Sequence, residues 1–188
     1  MTRLLSGAGM LVVSLAAAVV AAQETKVNHD ARIAAEFTAR VNEYVALHKR
    51  LEEKLPKLPK EATPEQIDTN QRALGRMIAD ARKAAKQGDV FTREARALFR
   101  RHLAAVFGGP EGRQLKASIM DENPGPVKVG VNQRYPDEIP LATMPPQVLE
   151  RLPKIPEELE YRFIGDRLIL LDVHGHIIVD IIEDALPA

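Results

Sequence analysis

The segment Leu170-Leu171-Asp172-Val173-His174-Gly175-His176 gathers the densest set of chemistry-bearing side chains in this sequence. Asp-x-His-x-His after an apolar run is a divalent-metal pattern. Imidazole is the commonest protein ligand for such ions, and alternate residues of an extended segment share one face. Asp172, His174 and His176 could therefore present one carboxylate and two ring nitrogens together. A similar pattern opens the amidohydrolase barrels, but that fold takes at least about 200 residues and further ligands. Here 12 residues follow His176 and none is His, so that activity is not expected. The segment also carries a turn signal at His174-Gly175. A turn there pairs Asp172 with Ile177 and sends His176 to the other face with Val173. Three ligands must meet at about 2.0–2.2 Å from one point, and a turned segment scatters these. The expectation is a turn with His176 on its rim, a weak divalent-metal site at His174, His176 and Asp172 as the alternative, and no other cofactor.

Other chemistries have thinner support. His48 and His102 lie on the apolar stripes of two helical segments, where each could be a general base but reads as a hydrogen-bonded histidine at the core edge. There is no Cys, so thiol catalysis and disulfides are excluded together. Beyond residue 22 the one serine is Ser118, with no Gly-x-Ser-x-Gly elbow around it. Neither a Walker loop nor a Gly-x-Gly-x-x-Gly run occurs. The acidic pairs Asp137-Glu138, Glu157-Glu158 and Glu183-Asp184 are adjacent in sequence and read as solvated patches.

The elements that must position these residues divide the chain in two. Ile33, Phe37, Val41, Tyr44, Val45, His48, Leu51 and Leu55 recur at helical spacing, and Pro56 and Pro59 stop that run. Thr63, Pro64 and Gln66 start a second helix with a capping box, and its stripe of Ile67, Leu74, Ile78, Ala81 and Ala85 predicts an end near Gly88. Thr92 can cap a third helix carrying Leu98, Phe99, Leu103 and Val106, and a fourth, shorter segment runs to about Glu122. Nine of the 13 prolines fall after that point. Val127, Val129 and Val131 alternate as a short strand would, and Pro145-Pro146 begins a short helix.

The end of the chain, Glu160 to Ile182, is the clearest β signal. Turns at Gly165-Asp166 and His174-Gly175 give a three-stranded antiparallel meander. Phe163 then faces Leu168, Tyr161 faces Leu170, Leu168 faces Ile181 and Leu170 faces Val179. One face is almost wholly apolar, and the second mixes Ile164, Ile169, Leu171, Ile178 and Ile182 with Arg162, Arg167 and Asp180, so it too is expected to be covered, by the chain's own helices or by another chain. The predicted class is α+β: a helical N-terminal part of three to four helices over 23–122, then a Pro-rich segment and the meander over 123–188.

The first 22 residues read as a cleavable export signal. Arg3 is followed by an apolar run from about Ala8 to Val20 and a small-residue exit at Ala21-Ala22. An uncleaved anchor is the alternative. The remainder has 25 basic and 26 acidic side chains, and no later apolar run approaches spanning length. A periplasmic or extracellular location follows, with no membrane span in the mature form and no nucleic-acid partner. Residues 24–122 carry 19 Lys/Arg against 15 Asp/Glu, while residues 123–188 carry 6 against 11. The halves are expected to attract each other, and the nine basic residues between 72 and 101 read mainly as a solvated or docking face.

The stretches YVALHKRLEEKLP, FTREARALFRRHL, NPGPVKVGVNQRYPDEIPLATMPPQVLERLP and LEYRFIGDRLILLDVHGHIIVDII resemble a family of uncharacterised exported bacterial proteins. That likeness implies no activity. The terminal YRFIGDRLILLD and HIIVDII also look like the β-meander closing periplasmic nickel/cobalt-homeostasis proteins of the RcnB type. No site residue is carried over from either resemblance. The functional expectation is a non-catalytic module that binds an envelope protein or a second copy of itself. The alternatives are a periplasmic metal-binding protein using His174 and His176, and a small hydrolase.

Overall fold

A computed structural model describes residues 11–121, 127–140 and 144–187, with the backbone alone for 11–27. Arg3 and the Asn123-Pro126 junction lie outside the described residues. Helix α1 runs from Leu11 to Glu52, and the predicted stripe from Ile33 to Leu51 is its buried face. Helix α2, Pro64–Ala81, begins with the expected box: Gln66 N–H donates to Thr63 Oγ1, and Thr63 N–H donates to the Gln66 side chain. Helices α3, Arg93–Phe107, and α4, Pro110–Asp121, follow, with Thr92 capping α3. The short α5 is Pro146–Leu149. Strands β1 Leu159–Ile164, β2 Arg167–Asp172 and β3 Ile177–Ile182 form one antiparallel sheet in the order β1-β2-β3. The class is α+β, as the periodicities predict. Among the described residues no helix is long and apolar enough to cross a membrane.

One sheet face packs on the helices. Phe37 stacks on Phe91 at 5.5 Å, Phe91 meets Phe99 edge-on at 5.2 Å, and Phe99 meets Tyr161 of β1 at 5.9 Å. Leu168, Leu170, Ile177, Val179 and Ile182 complete this cluster from the sheet side. Residues from both sequence halves thus share one core, which removes their apolar surface from water at roughly 25 cal/mol per Å2.

The opposite face has a different cover from either one expected. Tyr135, Ile139, Val127 and Val129 pack on Ile164, Ile169, Leu171, Ile178 and Ile181. The Pro-rich segment, rather than helices or another chain, lies across this face. Val127, Val129 and Val131 do not form a strand; prolines flanking the segment leave it irregular. It instead reaches the β3 edge, where Asn132 N–H donates to Ile178 O, Ile178 N–H to Gln133 O and Tyr135 N–H to His176 O.

The β1–β2 register is the predicted one, with Phe163 opposite Leu168 and Tyr161 opposite Leu170. Gly165, at φ 60°, opens the two-residue turn as a primed hairpin requires. The β2–β3 register departs from expectation. Leu168 faces Ile182 and Leu170 faces Asp180, because a bulge shifts the pairing beyond Leu171–Ile178. An extra residue in one strand reverses the facing of all that follow. Asp180 therefore points at the helices, where it is fully buried.

Its carboxylate has a built receptor. Helix α2 ends at Ala81 instead of near Gly88, and the loop beyond it turns its amides inward. Gly88, at φ 96°, Val90 and Phe91 donate to Asp180 oxygens at 2.9, 2.8 and 2.7 Å. Such a nest of backbone N–H groups stabilises an anion. Opposite charge ties the halves together where Lys49 pairs with Glu158 at 2.8 Å, and neutral hydrogen-bond acceptors do so where Arg100 donates to the backbone carbonyls of Glu183 and Asp184.

Two stability predictions follow from this packing. Asp180→Ala strands three inward-facing N–H groups and should cost about 3 kcal/mol or more, read as a lower midpoint in urea. A Cβ on Gly75 would sit 2.6 Å from Gly175 O. Gly75→Ala should therefore cost about 1–3 kcal/mol, while Gly109→Ala, which meets nothing within 4 Å, should leave the midpoint nearly unchanged.

Candidate metal centre

Tyr44, His48 and Glu52 stand four residues apart on α1 and so form one line along its surface. The end of β2 and the following turn lie across that line. Asp172 is completely buried, and its Oδ2 accepts from the Tyr44 hydroxyl at 2.6 Å and from His48 Nδ1 at 2.6 Å. Its Oδ1 accepts from Gly175 N–H at 2.7 Å, which ties the turn to the same carboxylate. The turn spans residues 173–176 between Asp172 and Ile177. His176, at φ 48°, supplies its left-handed residue. Gly175 has a different task from the one its place in a turn suggests. Its carbonyl lies against Gly75 of α2, and a Cβ of its own would meet Ile78 at 3.2 Å and Asp172 Oδ1 at 3.3 Å.

An ionised carboxylate only accepts hydrogen bonds, so the Asp172 contact puts the proton on His48 Nδ1. His48 Nε2 then faces the other way. It is buried, makes no hydrogen bond, and lies 3.5 Å from Glu52 Oε2. Glu52 Oε1 in turn lies 2.9 Å from His174 Nδ1, and the two imidazole rings are 5.3 Å apart. His48, Glu52 and His174 each offer one ligand atom, all within 4.8 Å of one another. Tetrahedral zinc with bonds of about 2.0–2.1 Å holds its ligand atoms about 3.3–3.4 Å apart. Glu52 and His174 are both nearly half exposed, so they are the two of the three with room to adjust, while Asp172 holds the buried His48 ring.

The outer contacts match a metal centre's needs. A ligating histidine commonly donates its second ring nitrogen to a carboxylate, which sets the tautomer and raises basicity. Asp172 does this for His48. Burial pulls the His48 imidazole down, while the Asp172 hydrogen bond and charge, with Glu52 and Glu158 beyond, push it up; the balance lies above the ordinary histidine value. Burial, followed by the Asp172 charge, holds the Tyr44 phenol well above its usual range, so it remains a donor. Arg82 lies over the Tyr44 ring at 5.0 Å.

Of the three residues singled out in the sequence, His174 is in the cluster, Asp172 stands behind it as the carboxylate orienting His48, and His176 is elsewhere. The His176 ring packs edge-on to Tyr135 at 5.4 Å, with Nε2 3.9 Å from Asp137 Oδ1. The turn separates the two turn histidines, as its geometry implies. His48 has the partner that its sequence neighbourhood does not reveal, 124 positions away. Glu52 lies outside the sequence-predicted set, although His-x-x-x-Glu at one helical turn is a readable ligand spacing. His102 is half-buried on α3, and burial draws its imidazole below the ordinary value. Ser118 bonds its own helix through Gln114 O. No family model, curated protein or solved structure matches the chain.

The His48–Asp172 pair makes folding pH-dependent. A histidine raised in the folded state adds stability that is complete below its unfolded value and fades as pH rises through the folded one. Chelator-treated protein should lose unfolding free energy as pH rises above the ordinary histidine value of about 6.5, measured by urea titration. Asp172→Asn should flatten that slope; equal slopes in both proteins would contradict the assignment.

Proposed function

We propose that this chain is an exported protein that binds one divalent transition-metal ion through His48 Nε2, the Glu52 carboxylate and His174. The observation that carries this reading is the buried, unbonded His48 Nε2 beside Glu52, with Asp172 fixing the opposite ring nitrogen. Two imidazoles and one carboxylate suit zinc and its neighbours nickel, cobalt and copper, rather than calcium or magnesium, which favour all-oxygen shells. Three protein ligands leave a further coordination position facing solvent, because Glu52 and His174 are nearly half exposed. Binding requires His48 Nε2 to be free of a proton, so affinity rises with pH. Export is the reading of the first 22 residues, and it places the site where envelope metal is available.

Native mass spectrometry and cobalt(II) absorption test this directly. The expected result is one ion per chain, lost on chelation. His174→Ala and Glu52→Gln, both at exposed positions, should abolish stoichiometric binding. Asp172→Asn should weaken it about 10–100-fold, and His176→Ala should leave it unchanged. A metal-free chain at micromolar zinc, or equal binding by the His174→Ala variant, would overturn the proposal.

A further inference from the structure

On another face of α2 lies a pocket of about 230 Å3. Arg72, Gly75, Arg76 and Ala79 line it at three- and four-residue steps, and Arg134 and Ile177 form the facing wall. Its floor is short, since Gly75 packs directly on the Gly175 carbonyl, and Ala79 and Ile177 give it hydrocarbon, with Asn132 at its side.

Two of the three guanidinium groups are held in place. Arg72 Nε donates to Asp68 Oδ2 at 2.7 Å and Nη2 donates to Asp137 Oδ2 at 3.3 Å. Arg134 donates to Asp137 Oδ1 through Nε at 3.2 Å and Nη2 at 3.0 Å, and to Asp68 Oδ1 at 3.3 Å. Two carboxylates thus balance two guanidiniums and fix their planes. Arg76 is different. It is exposed, and among the described residues it makes no hydrogen bond or ion pair. Among the described residues, the pocket therefore carries one positive charge without a paired carboxylate, beside the hydrocarbon of Ala79 and Ile177.

We propose that this pocket binds a small aliphatic monocarboxylate, its carboxylate on Arg76 and its chain over Gly75, Ala79 and Ile177. One negative charge balances Arg76, and a guanidinium meets a carboxylate with two parallel N–H bonds. A short hydrocarbon chain covers Ala79 and Ile177, which a bare oxyanion leaves wet. A phosphate dianion brings a second charge, while Asp68 and Asp137 already balance the charges of Arg72 and Arg134, whose buried Nη1 is left without a hydrogen bond. The site shares none of the proposed metal ligands His48, Glu52 and His174, and either can fail without the other.

Calorimetry on the full chain, with chelator present to keep carboxylates off any metal, uses acetate, butyrate and inorganic phosphate as probes. Butyrate should bind roughly tenfold more tightly than acetate, from two further buried methylenes, and more tightly than phosphate. Arg76→Gln should weaken butyrate about tenfold with an unchanged melting temperature, since Arg76 has no partner to lose. Ala79→Leu, which fills the floor, should weaken butyrate and spare zinc binding. Tighter binding of phosphate than of butyrate, undiminished binding by Arg76→Gln, or no heat with any probe would overturn the proposal.

Discussion

A carboxylate removed from water must be matched by donors, because an uncompensated buried charge costs several kcal/mol. Asp172 meets this demand with one donor from each of three places: the Tyr44 hydroxyl, the His48 ring and the Gly175 amide. Those groups belong to α1 and to the β2–β3 turn, so the requirement fixes how the first helix lies on the sheet. It also fixes the histidine tautomer, and it brings His174 over Glu52. The candidate metal centre is thus a by-product of satisfying one buried charge.

Asp180 repeats the arrangement on the next strand, with backbone amides in place of side chains. The β3 bulge aims it at the loop after α2, and three amides of that loop receive it. Helix α2 is consequently anchored twice. The Asp180 nest holds its exit, and the contact of Gly75 with Gly175 holds its middle. With α2 seated, one of its faces is free to line the arginine pocket against Arg134 and Ile177.

Much of this was legible in the residues. The stripe on α1, the capping box of α2 and the β1–β2 register are local, set by side-chain period and turn chemistry over a few positions. What was illegible was long-range or arose from a single inserted residue. The bulge at Val179 has no sequence mark, since Val179 and Asp180 alternate as an ordinary strand would, yet it moved Asp180 to the helix side. Gly88 read as a helix stop by composition and serves as a nest residue. Val127 and Val129 alternate like a strand but lie as an irregular cover, because the ladder they would need belongs to Asn132, Gln133 and Tyr135.

The sequence by itself determined the α+β class, the shared apolar stripes and the turn that parts His174 from His176. Periodicity and turn preference act over neighbouring residues, and neighbouring residues are what a sequence displays. Only the tertiary structure decided that His48 and Glu52 meet His174, and that Asp172 stands behind the centre instead of within it. Their convergence depends on the angle at which α1 crosses the sheet, and that angle follows from how a buried carboxylate finds its donors across more than 120 residues.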